Sequence, residues 1–432
     1  LKNSLKIFAG FHNITGYYHV LQKGFANKGV RCDVFDLTQN ESFYKFNKFP
    51  SYIGNVIIEL NYLKRKLKKH FFIFAIPLHF IEKSLIAIFF FECLLKYNVF
   101  IFSYASTFFF YKDLLLLKLF NKKVIYIFHG SDARPPYLSG RFYVELNGGS
   151  SKQIYKRTKF IKNRIKFIER YSDHIISSIF IGQFFTKPFL NWYQIGIPLI
   201  PQNVAHKKST NPDKTFTILH SPSFPLIKGS QKIIETIDSL KNDGYNINLK
   251  ILTKVQNKEV LIAIQDADLV VDQLYSECFW SVFAMEAILN RTPALVCGNA
   301  PSELVDEHLP GPLKNAFYVQ IDDFKVTLKN ILDKKLDRKE IDKTHKLYIE
   351  KMWHFEKVAE RFIKLLCNDL SSDWYVDPNT IGYIHGGACR LEWIREMVLA
   401  LIKKYGESSL QLDDKLNLKK TLLRLIKPNI SS

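Results

Sequence analysis

Two doubly wound α/β units in a single chain are what this sequence predicts, and three observations predict them. Short apolar runs alternate with amphipathic stretches from end to end, the pattern of parallel strands joined by crossover helices. That pattern runs twice, before and after a polar, proline-containing stretch at Lys207–Lys214 that reads as a hinge. The length of 432 residues fits two or three domains at roughly 100–200 residues apiece.

The elements follow in order. Leu5–Gly10 reads as a first strand, followed by the loop Phe11–Tyr18 and a helix to about Asn27. Val30–Phe35, Val99–Ser103, Val124–Phe128 and His174–Ser178 continue the series, the last closing the first sheet. The second unit opens with strand Phe216–His220 and a helix over Lys228–Leu240. Ile247–Leu252, Leu269–Asp272 and Ala294–Cys297 supply its further strands. From about 324 the pattern turns helical, ending in a Lys- and Leu-rich helix near 414–427. The expected domains are therefore 1–205, 206–365 and a helical extension over 366–432, which reads as a cap crossing back to the first domain.

Composition excludes several classes. A 47% hydrophobic and 24% charged chain is a folded globular protein, not a disordered one. Cysteines 32, 93, 278, 297, 367 and 389 have no CxxC spacing, so neither a zinc site nor a disulfide scaffold is expected, and reduced buried thiols are. The opening Leu1–Lys6 shows no leader pattern, which makes a cytoplasmic protein the expectation. Of the net charge of +20, residues 1–200 carry +18, with 29 Lys+Arg against 11 Asp+Glu. A basic first half attracts an anionic lipid surface, a polyphosphate-linked substrate or nucleic acid. Nucleic acid is not expected, because the basic residues do not interleave with aromatics in a recognisable binding motif.

The most apolar zone, Phe71–Leu95, is interrupted by Glu82, Lys83 and Glu92 and does not read as a membrane span. The basic run Lys64–Lys69 abuts it. Two readings stand: an interfacial anchor at the inner face of a membrane, or a buried helix with a solvated basic face before it. The charge asymmetry favours the first.

Ligands of doubly wound folds bind outside the carboxyl ends of the strands, so the residues just after each strand are the candidates. Val271–Pro293 leaves a strand, turns through Ser276 and Glu277, and enters a helix near Ser281 and Val282 with Glu286 in its second turn. Unsatisfied N–H groups at such a helix start suit a diphosphate. Glu286, among the apolar Val282–Leu289, needs a partner and can accept from a vicinal diol such as a ribose. His220–Ser230 leaves another strand and enters a helix at Lys228–Gly229, where a lysine can neutralise phosphate charge. His129-Gly-Ser-Asp132-Ala-Arg134 ends a first-unit strand and aims a histidine and an aspartate at the cleft. His385, in His385-Gly-Gly387 of the extension, is a weaker candidate.

These segments together, over residues 5–365, resemble the retaining nucleotide-sugar glycosyltransferases of GT-B architecture, family 4 in particular. His129–Asp132 is similar to that family's cleft histidine motif, Lys228–Gly229 to its donor-phosphate lysine, and Glu286 to the second glutamate of its Glu-x7-Glu pair. Asn290–Pro293 resembles the turn that follows the pair. Cys278 stands where the first glutamate would be, with Glu277 one residue early, and Ser223 stands where the family has an arginine. The N-terminal glycine-rich loop is reduced to Gly10 and Gly16, with His12, Asn13 and Thr15 between.

The resemblance implies two facing Rossmann-like domains and sugar transfer, with retention, from a UDP- or GDP-sugar to a glycan or lipid-linked acceptor in cell-surface polysaccharide synthesis. It implies no metal or cofactor. His129 and Asp132 would act at the reacting sugar, while Lys228, Gly229, Glu277, Ser281, Val282 and Glu286 would hold the donor. Gly10, His12, Asn13 and Gly16 would form a phosphate or acceptor loop, and Thr253–Asn257 would lie near the base. Two rival readings are an epimerase of the same architecture, which needs no acceptor, and a non-catalytic nucleotide-sugar or membrane-binding module.

Overall fold

The computed structural model describes residues 4–37, 49–70, 72–104, 106–201, 215–277, 281–308, 317–334, 343 and 346–426. It contains two parallel sheets. The first holds β1 (Lys6–Phe11), β2 (Arg31–Asp36), β3 (Val99–Ser103), β4 (Lys123–Ile127), β5 (His174–Ser177) and β6 (Phe189–Asn191), in the order β2-β1-β3-β4-β5-β6. The second holds β7 (Phe216–His220), β8 (Ile247–Ile251), β9 (Leu269–Val271), β10 (Ala294–Gly298) and β11 (Phe317–Gln320), in the order β8-β7-β9-β10-β11. Both are therefore doubly wound, with the strand order reversing at β1/β3 and at β7/β9. This is the α/β architecture of two Rossmann-like units expected from the sequence.

Crossover helices cover both faces, so the central strands are near-continuous apolar runs. All five residues of β3 and all five of β10 are buried. The first core is aromatic. The Phe8 ring on β1 lies within 6.3 Å, centroid to centroid, of eight others, among them Phe108 at 5.3 Å and Phe100 at 5.7 Å. α1 (Tyr17–Asn27) follows β1, α2 (Tyr52–His70) and α3 (Phe72–Lys96) form a hairpin before β3, and α4 (Lys112–Leu119) leads to β4. Asp113, fully buried at the start of α4, accepts from the backbone N–H groups of Phe108 (3.2 Å) and Phe109 (2.9 Å) and from the Thr107 hydroxyl (2.6 Å).

The structure departs from the sequence expectation at the sheet edges. His174–Ser177 is not the last strand of the first sheet, since the three-residue β6 pairs beyond it. β12 (Tyr375–Val376) then adds antiparallel to β6, so the C-terminal part of the chain completes the first sheet. β11 extends the second sheet next to β10. The return to the first unit begins before residue 366. Helix Phe355–Leu366 packs on α1, with the Phe362 ring 6.2 Å from Phe25 and the Asn27 amide donating to Glu356 at 2.6 Å. The hinge expected at 207–214 lies outside the described residues. Of the expected basic cluster, Lys64 is turned inward onto buried Glu82, which also accepts from Asn61 at 2.7 Å.

Because so many rings meet at Phe8, truncating it removes more packing than a lone core phenylalanine would lose. Phe8→Ala is expected to lower unfolding free energy by about 3–5 kcal/mol, and Phe8→Leu by clearly less. Urea unfolding of the two variants against the parent checks the order.

Candidate functional site

The carboxyl ends of both sheets face one cleft of about 380 Å³. Its first-unit wall includes Tyr17, His129, Arg134 and Trp192; its second-unit wall includes Glu277, Ser281, Val282 and Met285. Gly387 and Ala388 of the C-terminal segment complete it.

At the β7/β9 reversal point the second unit concentrates its polar groups. Asp272 follows β9 and is almost wholly buried. One of its carboxylate oxygens takes the Lys228 ammonium at 2.9 Å, and the other accepts the Ser281 hydroxyl. Lys228 closes the short helix Pro225–Lys228, and Gly229 then adopts φ +78 before helix Ser230–Asn242 begins. A Cβ at Gly229 would stand 3.0 Å from both the Leu274 Cβ and the Tyr275 ring, so glycine meets two constraints there. Behind this cluster His220 locks β7 to β9. Its Nδ1–H donates to the Val271 carbonyl at 2.8 Å, leaving Nε2 to accept the Ser230 hydroxyl at 2.7 Å. Burial pushes its pKa down, consistent with a neutral ring.

Glu286 lies one turn into helix Val282–Leu289 and accepts from the Asn257 amide at 3.0 Å. Burial pushes its carboxyl up, the Asn257 bond opposes this, and nearby Asp272 adds to it. Lys228, Asp272 and Ser281 thus form one hydrogen-bonded set at the carboxyl end of the second sheet, and Asn257 and Glu286 a second set that feels the charge of Asp272. Lys228, Gly229 and Glu286 adjoin the cleft without lining it.

His129, at the end of β4, sets its ring edge-on to Trp192 (5.0 Å) and Tyr17 (6.3 Å). Burial holds its pKa at about 4, so at neutral pH it offers an uncharged imidazole. Asp132 does not join it. Contrary to the expectation of a cleft-facing carboxylate, Asp132 is buried and turned back on its own loop. It accepts from the backbone N–H groups of His129 (3.1 Å) and Gly130 (2.8 Å). Three residues is the spacing at which a short acidic side chain closes such a turn. Asp132 therefore positions His129.

Across the cleft Glu277 is held by Arg134. Nε donates to Oε1 at 3.0 Å, and the second guanidinium nitrogen pairs with Oε2. Both side chains are largely buried, 13% and 6% exposed. Against this pair runs the strap Gly386–Ala388. Gly140 N–H donates to the Gly387 carbonyl (3.1 Å), Gly387 N–H to Leu138 (3.0 Å), and Ala388 N–H to Tyr275 of the second unit (2.8 Å). His385 beside it takes the Asn299 amide at 3.2 Å, and its pKa is also pushed down to about 4 by burial.

The N-terminal loop residues hold the loop itself. His12 Nδ1 meets the Ser106 hydroxyl at 2.8 Å, Asn13 Oδ1 accepts from Tyr18 N–H at 2.8 Å, and Gly16 turns with φ +79 into α1. Gly10 sits within β1, where a Cβ would press on the Phe35 carbonyl at 2.8 Å. None of the four lines the cleft, although their neighbours Ile14 and Tyr17 do. Cys278 lies outside the described residues. The sequence reading gives no role to Asp272 or Trp192, reaches Arg134 only as the end of the His129 segment, and reaches the strap only through His385-Gly-Gly387. Asp272 is open to the rule used for the other candidates, since it directly follows a strand. Trp192 carries no local signal. Among the described residues, no group of three or more His, Cys, Asp or Glu is arranged to hold a metal ion.

No protein-family model matches the chain, and neither does any curated protein. Solved structures similar in chain course include Anabaena HepE in complex with UDP-glucose, at 11% identity and a TM-score of 0.48, covering 84% of this chain and 99% of that one. A glycosyltransferase from Rickettsia africae is similar at 11% and 0.47, covering 85% and 100%. An alpha-glucosyltransferase in complex with UDP-glucose and DNA is similar at 11% and 0.47, covering 84% and 98%. Likeness of this order speaks to neither ligand nor reaction.

The depressed histidines make stability pH-dependent. His129 takes up its proton near 6.5 when unfolded and near 4 when folded, so its contribution is complete above about 6.5 and is lost as pH falls towards 4. His129→Gln is expected to remove up to one proton from the slope of unfolding free energy over that window, about 1.4 kcal/mol per pH unit. Urea titrations at stepped pH check this, and an unchanged slope contradicts the burial of His129.

Proposed function

We propose that the chain is a glycosyltransferase that moves a sugar from a nucleotide-sugar, a UDP- or GDP-sugar, to a hydroxyl of a glycan or lipid-linked acceptor with retention. The observation that carries this is the polar patch at the β7/β9 reversal point, which adjoins the cleft that His129 lines and reaches it through Ser281. In doubly wound sheets that position receives a nucleotide. Lys228 would bridge Asp272 and the donor diphosphate, aided by Ser281 and the N–H groups that open helix Val282–Leu289. Glu286, with its carboxyl kept beside the Asn257 amide, would take the ribose hydroxyls.

In the transfer the bond between the anomeric carbon and the diphosphate oxygen breaks, and the acceptor oxygen bonds the same carbon on the same face. The acceptor proton leaves with the departing diphosphate or to solvent. Negative charge grows on the diphosphate, where Lys228 would stabilise it. His129, neutral at pH 7, would hydrogen-bond a sugar hydroxyl and would not compete as a cation. Synthesis of a cell-surface polysaccharide is the setting that a glycan or lipid-linked acceptor suits.

Thermal-shift and calorimetric titration with a panel of UDP- and GDP-sugars tests the reading. At least one donor should bind, and Lys228→Ala and Glu286→Ala should each weaken it by about tenfold or more, roughly 1.4 kcal/mol. Donor binding untouched in the double variant would remove the assignment. Product analysis by NMR should show the donor's anomeric configuration preserved. Epimerised donor without acceptor, or binding without turnover, would support the rival readings.

A further inference from the structure

α3 is apolar on both sides, yet only one side is covered. Ile86, Phe89, Phe90, Cys93 and Leu94 are buried in the aromatic core of the first unit. The opposite side carries Ile76, Phe80, Ile88, Phe91 and Leu95, with Ser84 completing a stripe that recurs every three or four residues. Those five apolar side chains are 45–89% exposed. Phe110, 73% exposed in the loop before α4, extends the same surface, because the Lys83 ammonium on α3 lies 4.7 Å above its ring. Single exposed apolar residues are ordinary; a stripe running from Ile76 to Leu95 is a surface that something covers.

We propose that this face of α3, with Phe110, docks on an anionic phospholipid surface. Charge selects the occupant. Residues 1–200 hold +18 of the net charge, and Lys83 and the exposed Lys112 sit beside the stripe. Two copies packed through this face would bring like charges at Lys83 and Lys112 together, whereas anionic headgroups meet them with the opposite sign. The depth is that of an interfacial helix. Among the described residues no helix is long and apolar enough to cross a membrane, and α3 keeps its other side in the protein core. Lys64, of the basic run before α3, is turned onto buried Glu82, so the apolar part of the surface is carried by α3 and the Phe110 loop. The inference stands apart from the glycosyl-transfer reading, since it concerns a surface outside the cleft.

Flotation of the full chain with vesicles of phosphatidylcholine alone, and of phosphatidylcholine with phosphatidylglycerol, tests it. The chain should float with the anionic vesicles, far less with the neutral ones, and less as salt rises. Phe80→Glu/Phe91→Glu should lower the bound fraction roughly tenfold with the unfolding temperature unchanged, because both rings are exposed. The milder Ile88→Gln/Leu95→Gln should act in the same direction. The proposal is overturned if the parent does not float, if it floats equally on neutral vesicles, or if the variants float like the parent. It is equally overturned if sedimentation without lipid shows a stable dimer that these substitutions split.

Discussion

Arg134 and Glu277 meet as a two-pronged ion pair between the loop that leaves β4 and the loop that leaves β9, and the shape of the cleft follows from that contact. Arg134 comes from the first unit and Glu277 from the second, 143 residues later. A buried pair of this kind adds little net stability over well-packed apolar residues, because both charges lose water on burial. Its contribution is geometric. The planar guanidinium fixes the carboxylate at two points, which ties the loop carrying His129 to the loop that precedes Ser281. The strap at Gly387 packs so closely on Arg134 that any Cβ there would collide with the guanidinium, so the C-terminal segment is held by the same contact.

The second determinant is the order of the strands. In each sheet the chain reverses direction of winding beside its first strand, and the loops on either side part to leave a crevice. The first unit fills its crevice with its own loop contacts at His12, Asn13 and Ser106. The second leaves Lys228 and Asp272 facing one another. An ammonium has three N–H donors, so Lys228 can meet a phosphate while keeping its bond to the buried Asp272, which leaves no charge unpaired. Glu286, bonded to Asn257, lies in the field of Asp272.

Much of this is legible in the sequence because parallel strands are written as local apolar runs, and β3, β7 and β8 fall within a residue of where the pattern puts them. β6 and β12 are not, since three residues and two are too short to show any period. Candidate residues following strands were found by position, which places His129, Glu277, Ser281 and Val282 on the cleft. Position alone does not say which way a side chain turns. Asp132 is aimed at its own backbone by a local turn, and Arg134 finds its partner only through tertiary folding. The apolar zone of α3 is legible in the sequence, but which of its sides stays exposed is not, because both sides of the helix read alike.

The most direct measurement is a crystal structure of the chain with a bound nucleotide-sugar, UDP-glucose or GDP-mannose, whichever binds. The account predicts the diphosphate between Lys228 and the start of helix Val282–Leu289, the ribose on Glu286, and the sugar extending towards His129. A nucleotide bound elsewhere, or one in the cleft with its diphosphate away from an unaltered Lys228–Asp272 pair, would contradict it.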